Sequence, residues 1–291
     1  MRTINRHFVA SLIGCCALAS PLLAQQGPSE SYKWKSVTIK ANGFIDGIVY
    51  SPVPGGPVFI HTDMGGAYRY DADKSRWTPL NDWSKWNDPA ARSLGVETMA
   101  LDPTNADRVY MAIGTYMQPS AILRSGDRGK TWQRTDVPFE MNGNGSARCT
   151  GQRMRVDPNS PNILFYGTRD DGLWKSTDHG ATWTNVKSFP TIGLDTGWGR
   201  DTGILYVEFD KTSATAGRPT RTMYAGVFEP TAGKPRLFRS LDSGETWQAI
   251  PGDQPTPANL FPQRAALTPD GKTLYLTYAS STSYPGPYGL G

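Results

Sequence analysis

Apolar and polar positions along this chain alternate in short bursts of four to eight residues, each closed by Gly, Pro, Asp or Asn. That is the signature of half-buried strands joined by tight turns. No stretch after the first 25 residues has convincing helical periodicity. One unit recurs. "MALDPTNADRVYMA" (99–112) and "MRVDPNSPNILFYG" (154–167) each read as a strand, an Asp-Pro turn and a second strand, and "ALTPDGKTLYLTY" (266–278) repeats the theme. "IVYSPVPGGPVFIHTD" (48–63) is a degenerate first copy.

A second unit follows the first. "SGDRGKTW" (125–132), "STDHGATW" (176–183) and "SLDSGETW" (240–247) share S-x-D-x-G-x-T-W, each after a strand ending in "AILRS", "GLWKS" or "RLFRS". Together the two units make four strands in about 35–50 residues, the size of a β-propeller blade. The pattern predicts an all-β propeller, with blades at 46–80, 97–135, 152–186 and 203–250 and half a blade from 264. A lead-in segment covers 25–45 and an incomplete ring of about four and a half blades covers 46–291, so the 291 residues read as part of a longer protein. In the repeated box, Asp127, Asp178 and Asp242 are expected to cap their own turns, and Trp132, Trp183 and Trp247 to fill equivalent spaces between blades.

Composition sharpens this picture. Residues 1–24 combine a basic start (Arg2, Arg6) with an apolar middle and read as a secretory signal, cleaved after Ala24. "LIGC" at 12–15 leaves open lipidation at Cys15. The expected location is outside the cell, in a periplasm or on the cell surface. After cleavage only Cys149 remains, which excludes an internal disulfide and cysteine-based metal sites. The formal charge of +4 falls to +2 with the loss of Arg2 and Arg6, and there is no Lys/Arg run. Nucleic-acid and membrane-surface roles therefore lack electrostatic support. A monomer with a neutral substrate and no cofactor or metal is expected.

Candidate chemistry centres on "HTDMGGAYRY" (61–70). On its own, a Thr-Asp-x-Gly-Gly segment reads as a structural turn. "YKWKSVTIKANGFIDGIVYSP", "HTDMGGAYRYD", "WTPLNDW", "MALDPTNADRVYMAIGTY", "ARCTGQRMRVDP" and "GLWKSTDHGATWTNVKSFP" occur in order from about Tyr32. This ordered set resembles the N-terminal propeller of glycoside hydrolase family 74, the xyloglucan-cleaving endoglucanases and their chain-end-acting relatives. The resemblance implies two facing seven-bladed propellers, each contributing one catalytic Asp to an open cleft, with this chain an incomplete first one. It assigns Asp63 as the general base of an inverting reaction on a plant cell-wall, xyloglucan-like glucan. Inversion needs two carboxyl groups about 6.5–9.5 Å apart, and the resemblance assigns the acid to the second propeller.

Sugar faces stack on aromatic rings, so Tyr68, Trp83, Trp86, Tyr116 and Trp198 are candidate platforms. Arg148, a further candidate substrate contact, and Arg153 lie in "ARCTGQR", similar to a family loop that has Glu where this chain has Gln152. Asp46 and Glu97 lie near strand starts without a family role, and Asp195 and Asp201 read as loop residues. Two other classes compete. A non-catalytic exported propeller that binds protein or glycan would not need an acid beside Gly-Gly at a strand end. A sialidase would need an arginine cluster and an R-I-P stretch, and no R-I-P occurs here.

Overall fold

A computed structural model describes residues 39, 43–83, 94–115, 120–145, 147–190, 203–229, 234–251 and 260–280. The signal segment 1–24 and residues 25–38 of the lead-in lie outside them. The repeating unit folds as an antiparallel sheet whose strands pair in sequence order. Strands β1 (Ile45–Tyr50), β2 (Val58–Thr62), β3 (Ala67–Asp71) and β4 (Arg76–Pro79) form the first sheet. The second contains β5 (Val96–Leu101), β6 (Val109–Ile113), β7 (Ala121–Ser125) and β8 (Gln133–Asp136). The third contains β9 (Met154–Val156), β10 (Leu164–Gly167), β11 (Leu173–Ser176) and β12 (Thr184–Asn185). The fourth contains β13 (Ile204–Phe209), β14 (Met223–Val227), β15 (Leu237–Ser240) and β16 (Gln248–Ala249). Strands β17 (Leu260–Leu267) and β18 (Leu274–Ser280) pair as a two-stranded sheet. The first strands of successive sheets lie side by side, which stacks the sheets as propeller blades.

The core lies in the seams between blades. Phe59, Ala67 and Leu80 of the first sheet region meet Val96, Met99 and Met111 of the second. Phe165 and Leu173 of the third meet Val207, Phe209 and Met223 of the fourth. Each box tryptophan joins a seam with the preceding blade. Trp132 packs on the first cluster, Trp183 on one containing Tyr110 and Phe139, and Trp247 on the second cluster. Trp247 is buried, and Trp132 and Trp183 are partly so.

The three boxes share one set of hydrogen bonds. In each, the Ser hydroxyl donates to the Asp and accepts from the Gly N–H, while the Thr donates to the same Asp from both its hydroxyl and its N–H. The Thr131 hydroxyl and N–H hold the Asp127 carboxyl at about 2. Burial raises Asp178 and Asp242, but the bonds from Thr182 and Thr246 outweigh it and keep both below the usual carboxylate range. These aspartates are structural caps.

The first strands share a further device. In β1, β5, β13 and β17 one residue is left out of the ladder near the strand start, a β-bulge that kinks the strand and re-aims a side chain. The bulged residues are Asp46, Glu97, Leu205 and Gln263, all buried.

Candidate active site

Asp63 follows the last residue of β2, in the turn that leads to β3. The turn is closed by its neighbours. The Thr62 hydroxyl accepts from Gly65 N–H at 2.7 Å and donates to Gly66 O at 3.0 Å, and Thr62 N–H donates to the same carbonyl at 2.9 Å. Gly66 has a φ of 86°, and a Cβ there would lie 2.2 Å from Asn81 Oδ1, the acceptor of the Ala67 N–H. Only glycine fits.

Asp63 takes no part in these bonds. The third blade makes the same closure, with Thr168 accepting from Asp171 N–H at 2.8 Å and donating to Gly172 O at 2.7 Å. Arg169 occupies the position equivalent to Asp63. The turn therefore forms equally well around a cation, so its geometry does not account for the carboxylate.

The Asp63 carboxylate is aimed back at the start of β1. Oδ1 accepts the Phe44 N–H at 2.7 Å, and Asp63 N–H donates to Phe44 O at 3.1 Å. Gly43, with a φ of 96°, leaves room for this, since a Cβ there would come within 2.7 Å of Oδ1. Oδ2 lies 3.6 Å from Arg148 Nε, and the Arg148 guanidinium covers the Phe44 ring, 5.8 Å from its centroid. One carboxylate oxygen is thus fixed by backbone, and the other lies beside a cation.

Behind Asp63, two residues earlier on β2, His61 is buried with Nδ1 2.8 Å from Asp46 Oδ1 and 3.2 Å from Val96 O. Burial pushes the Asp46 carboxyl up, His61 pulls it down, and the Asp63 charge adds to the rise. Glu97, at the same bulge position one blade on, is held quite differently. Its Oε1 meets Arg169 Nε at 2.7 Å and Arg153 Nε at 3.0 Å, and its Oε2 accepts the Asn142 N–H at 2.7 Å. Arg153 is thus a core ion-pair partner. Gln152, where the resembled loop carries Glu, accepts the Thr98 hydroxyl at 2.6 Å.

The expected platforms fare unequally. Trp83 is 53% exposed, with its indole N–H donating to Leu80 O at 3.1 Å, so it presents a ring to solvent. Tyr68 is not an open platform. It is buried between its β2 and β4 partners Ile60 and Pro79, burial raises its phenol, and its hydroxyl donates to Gly65 O at 2.7 Å, where it braces the turn. Trp86, Tyr116 and Trp198 lie outside the described residues, as do Asp195 and Asp201. Sequence reasoning missed Phe44 and His61; the "HTD" spacing, with two polar residues on one side of β2, was the available signal. Among the described residues, no cluster of three or more His, Cys, Asp or Glu side chains is placed to hold a metal ion.

No protein-family model matches the chain. A xyloglucanase from a Paenibacillus species is 41% identical over 301 residues, spanning 98% of this chain and 28% of that protein. The crystal structure of the GH74 xyloglucanase from Xanthomonas campestris superposes with a TM-score of 0.73 at 38% identity, over 86% of this chain and 36% of that one. The chain matches the N-terminal portion of glycoside hydrolase family 74. It spans about a third of the length of the family 74 relatives it matches. A propeller domain of Cps50 from Myceliophteria thermophila, 11% identical with a TM-score of 0.50, shares the fold alone.

Proposed function

We propose that this chain carries one half of the cleft of an exported, inverting glycoside hydrolase acting on xyloglucan or a related β-1,4-glucan, with Asp63 as the general base. The observation that carries the reading is the carboxylate at a turn whose closure does not use it, given that an arginine occupies the same position in the third blade. The Phe44 N–H fixes Oδ1, and a base held by one backbone donor keeps its other oxygen for a water. In the inverting reaction, Asp63 takes the proton of a water as that water attacks the anomeric carbon. A second carboxylic acid protonates the departing glycosidic oxygen. Arg148 Nε lies 3.6 Å from Oδ2, a cation beside the carboxylate. The names of the xyloglucanase relatives supply the substrate class. The reading includes a single-chain enzyme with no cofactor, as the composition suggests.

The test is proton NMR of xyloglucan hydrolysis by the complete enzyme. The first anomeric signal of the new reducing ends should be α, the inverted product of a β-linkage. A β signal would overturn the inverting mechanism, and no new reducing ends would overturn the substrate.

Trp83 supplies a separate prediction. Its ring is half exposed, and Trp83→Ala is expected to weaken xyloglucan binding by about 1 kcal/mol. Calorimetric titration of an inactive background measures this, and an unchanged affinity would remove Trp83 from the binding surface.

A further inference from the structure

We propose that the cavity between the second blade and the box turn of the third binds a sugar acid, a ligand of monosaccharide size whose carboxylate pairs with Arg124. The site is separate from Asp63 and does not depend on the role given to that residue.

The third strands of the first three blades each carry a cation directed at the box turn of the next blade. In the first, Arg69 Nη1 donates to Arg128 O at 2.6 Å. In the third, Lys175 Nζ lies 2.7 Å from Glu245 Oε1. Arg124 is the counterpart of Lys175, since each directly precedes the Ser of its own box, yet it has neither kind of partner. The third box carries Ala181 where the fourth carries Glu245. The Arg124 stem lies against this box, because a Cβ at Gly180 would come within 3.3 Å of Arg124 Cδ. Its Nε is buried without a hydrogen-bond partner, and among the described residues Arg124 forms no ion pair. A buried, unsatisfied donor on a cation is unfavourable, and an anion placed where Glu245 stands in the next seam would satisfy it.

The space for such an anion exists. Arg108, Arg124, Tyr110, Trp132, Gln133 and His179 line a cavity of about 310 Å³, at the small end of the range for ligand pockets and suited to a single sugar ring. The Arg108 charge is already compensated by Asp102, whose Oδ2 is 2.7 Å from Nη1, so the uncompensated charge is that of Arg124. His179 Nδ1 faces Pro161 O at 3.1 Å and the Tyr110 hydroxyl at 3.5 Å. The carbonyl calls for an N–H on that nitrogen, which leaves the phenol proton available. Burial pushes the Tyr110 phenol up and keeps that proton in place. The cavity thus combines a guanidinium for a carboxylate, neutral groups for hydroxyls and an indole in its wall. A neutral sugar would leave Arg124 unpaired, and inorganic phosphate would leave the indole and the neutral groups unused.

The site is remote from the candidate base along the strands. Asp63 stands between the end of β2 and the start of β3, whereas Arg108 precedes β6 and Arg124 closes on the end of β7. In an antiparallel sheet these are opposite ends, so a ligand here does not compete with glucan at Asp63.

The experiment is calorimetric titration of the complete enzyme with galacturonate, its methyl ester and inorganic phosphate, repeated for Arg124→Gln and Ala181→Glu. Galacturonate should bind saturably, and the uncharged ester should bind far more weakly. Arg124→Gln should weaken galacturonate binding by roughly 10- to 100-fold, the effect of losing a charge-assisted hydrogen bond. Ala181→Glu supplies the carboxylate from within, copying a residue that the fourth box accommodates, and should abolish binding while the melting temperature is kept. Xyloglucan hydrolysis should be unchanged in both variants. No saturable binding of galacturonate, or an unchanged affinity in either folded variant, would overturn the site. An ester that binds as tightly as the acid, or phosphate that binds more tightly, would overturn the sugar acid as its ligand.

Discussion

Asp63→Asn in the complete enzyme is expected to lower kcat on xyloglucan by about 10²–10⁴-fold, the usual contribution of a general base, with little change in KM. The substitution keeps size and polarity. The amide oxygen of Asn can still accept the Phe44 N–H, now 2.7 Å from Oδ1. The turn itself should close as before, because Thr62, Gly66 and Tyr68 carry its hydrogen bonds and the third blade closes the same turn around Arg169. What is lost is proton uptake from the attacking water. Reducing-end release compared at matched melting temperature measures the effect. A variant within about threefold of wild type would remove Asp63 from the chemistry.

The second large effect concerns stability. Glu97→Ala is expected to destabilise the protein by about 3–5 kcal/mol, the range seen when one partner of a buried ion pair is removed. Arg153 and Arg169 are almost fully buried, and both guanidinium Nε groups face Glu97 Oε1. Without Glu97, two cations would be left in the seam between the second and third blades, and the Asn142 N–H would lose its acceptor. For a unit of this size each kcal/mol corresponds to about 2–4 °C, so a melting temperature lower by roughly 10 °C is expected in scanning calorimetry. A fall of less than about 2 °C would show that the network contributes little net stability.

The sheets were legible because they are written in repeated, local patterns. Ser, Asp, Gly, Thr and Trp at fixed offsets specify the box turn, and the strands on either side alternate. The strand bounds fall where those patterns lie. Less was visible where long-range pairing decides. Glu97 meets Arg169 from a different blade, and no spacing rule connects them. The bulges that turn Asp46 and Glu97 inward depend on the register with β2 and β6, which a single strand does not reveal. Tyr68 looked like a loop aromatic beside Gly-Gly, but it is the second residue of β3, buried next to Ala67, and its hydroxyl closes the turn. The boxes held a further surprise. Arg128, His179 and Ser243, one residue before each box glycine, adopt positive φ near 60°, a conformation more typical of glycine or asparagine.

The strand order also bears on how the chain reaches its folded state. Among the described residues, every sheet pairs only strands that are consecutive in sequence, so each blade closes through local contacts of low contact order. A blade can form as soon as its strands have been made, before the next has appeared. Trp183 already meets Tyr166 of its own blade, and Trp247 belongs to a cluster with Phe238 of its own, but each box tryptophan also packs into the seam with the preceding blade. The surroundings of these three indoles are therefore completed only when neighbouring blades dock, after the strands of each blade have paired.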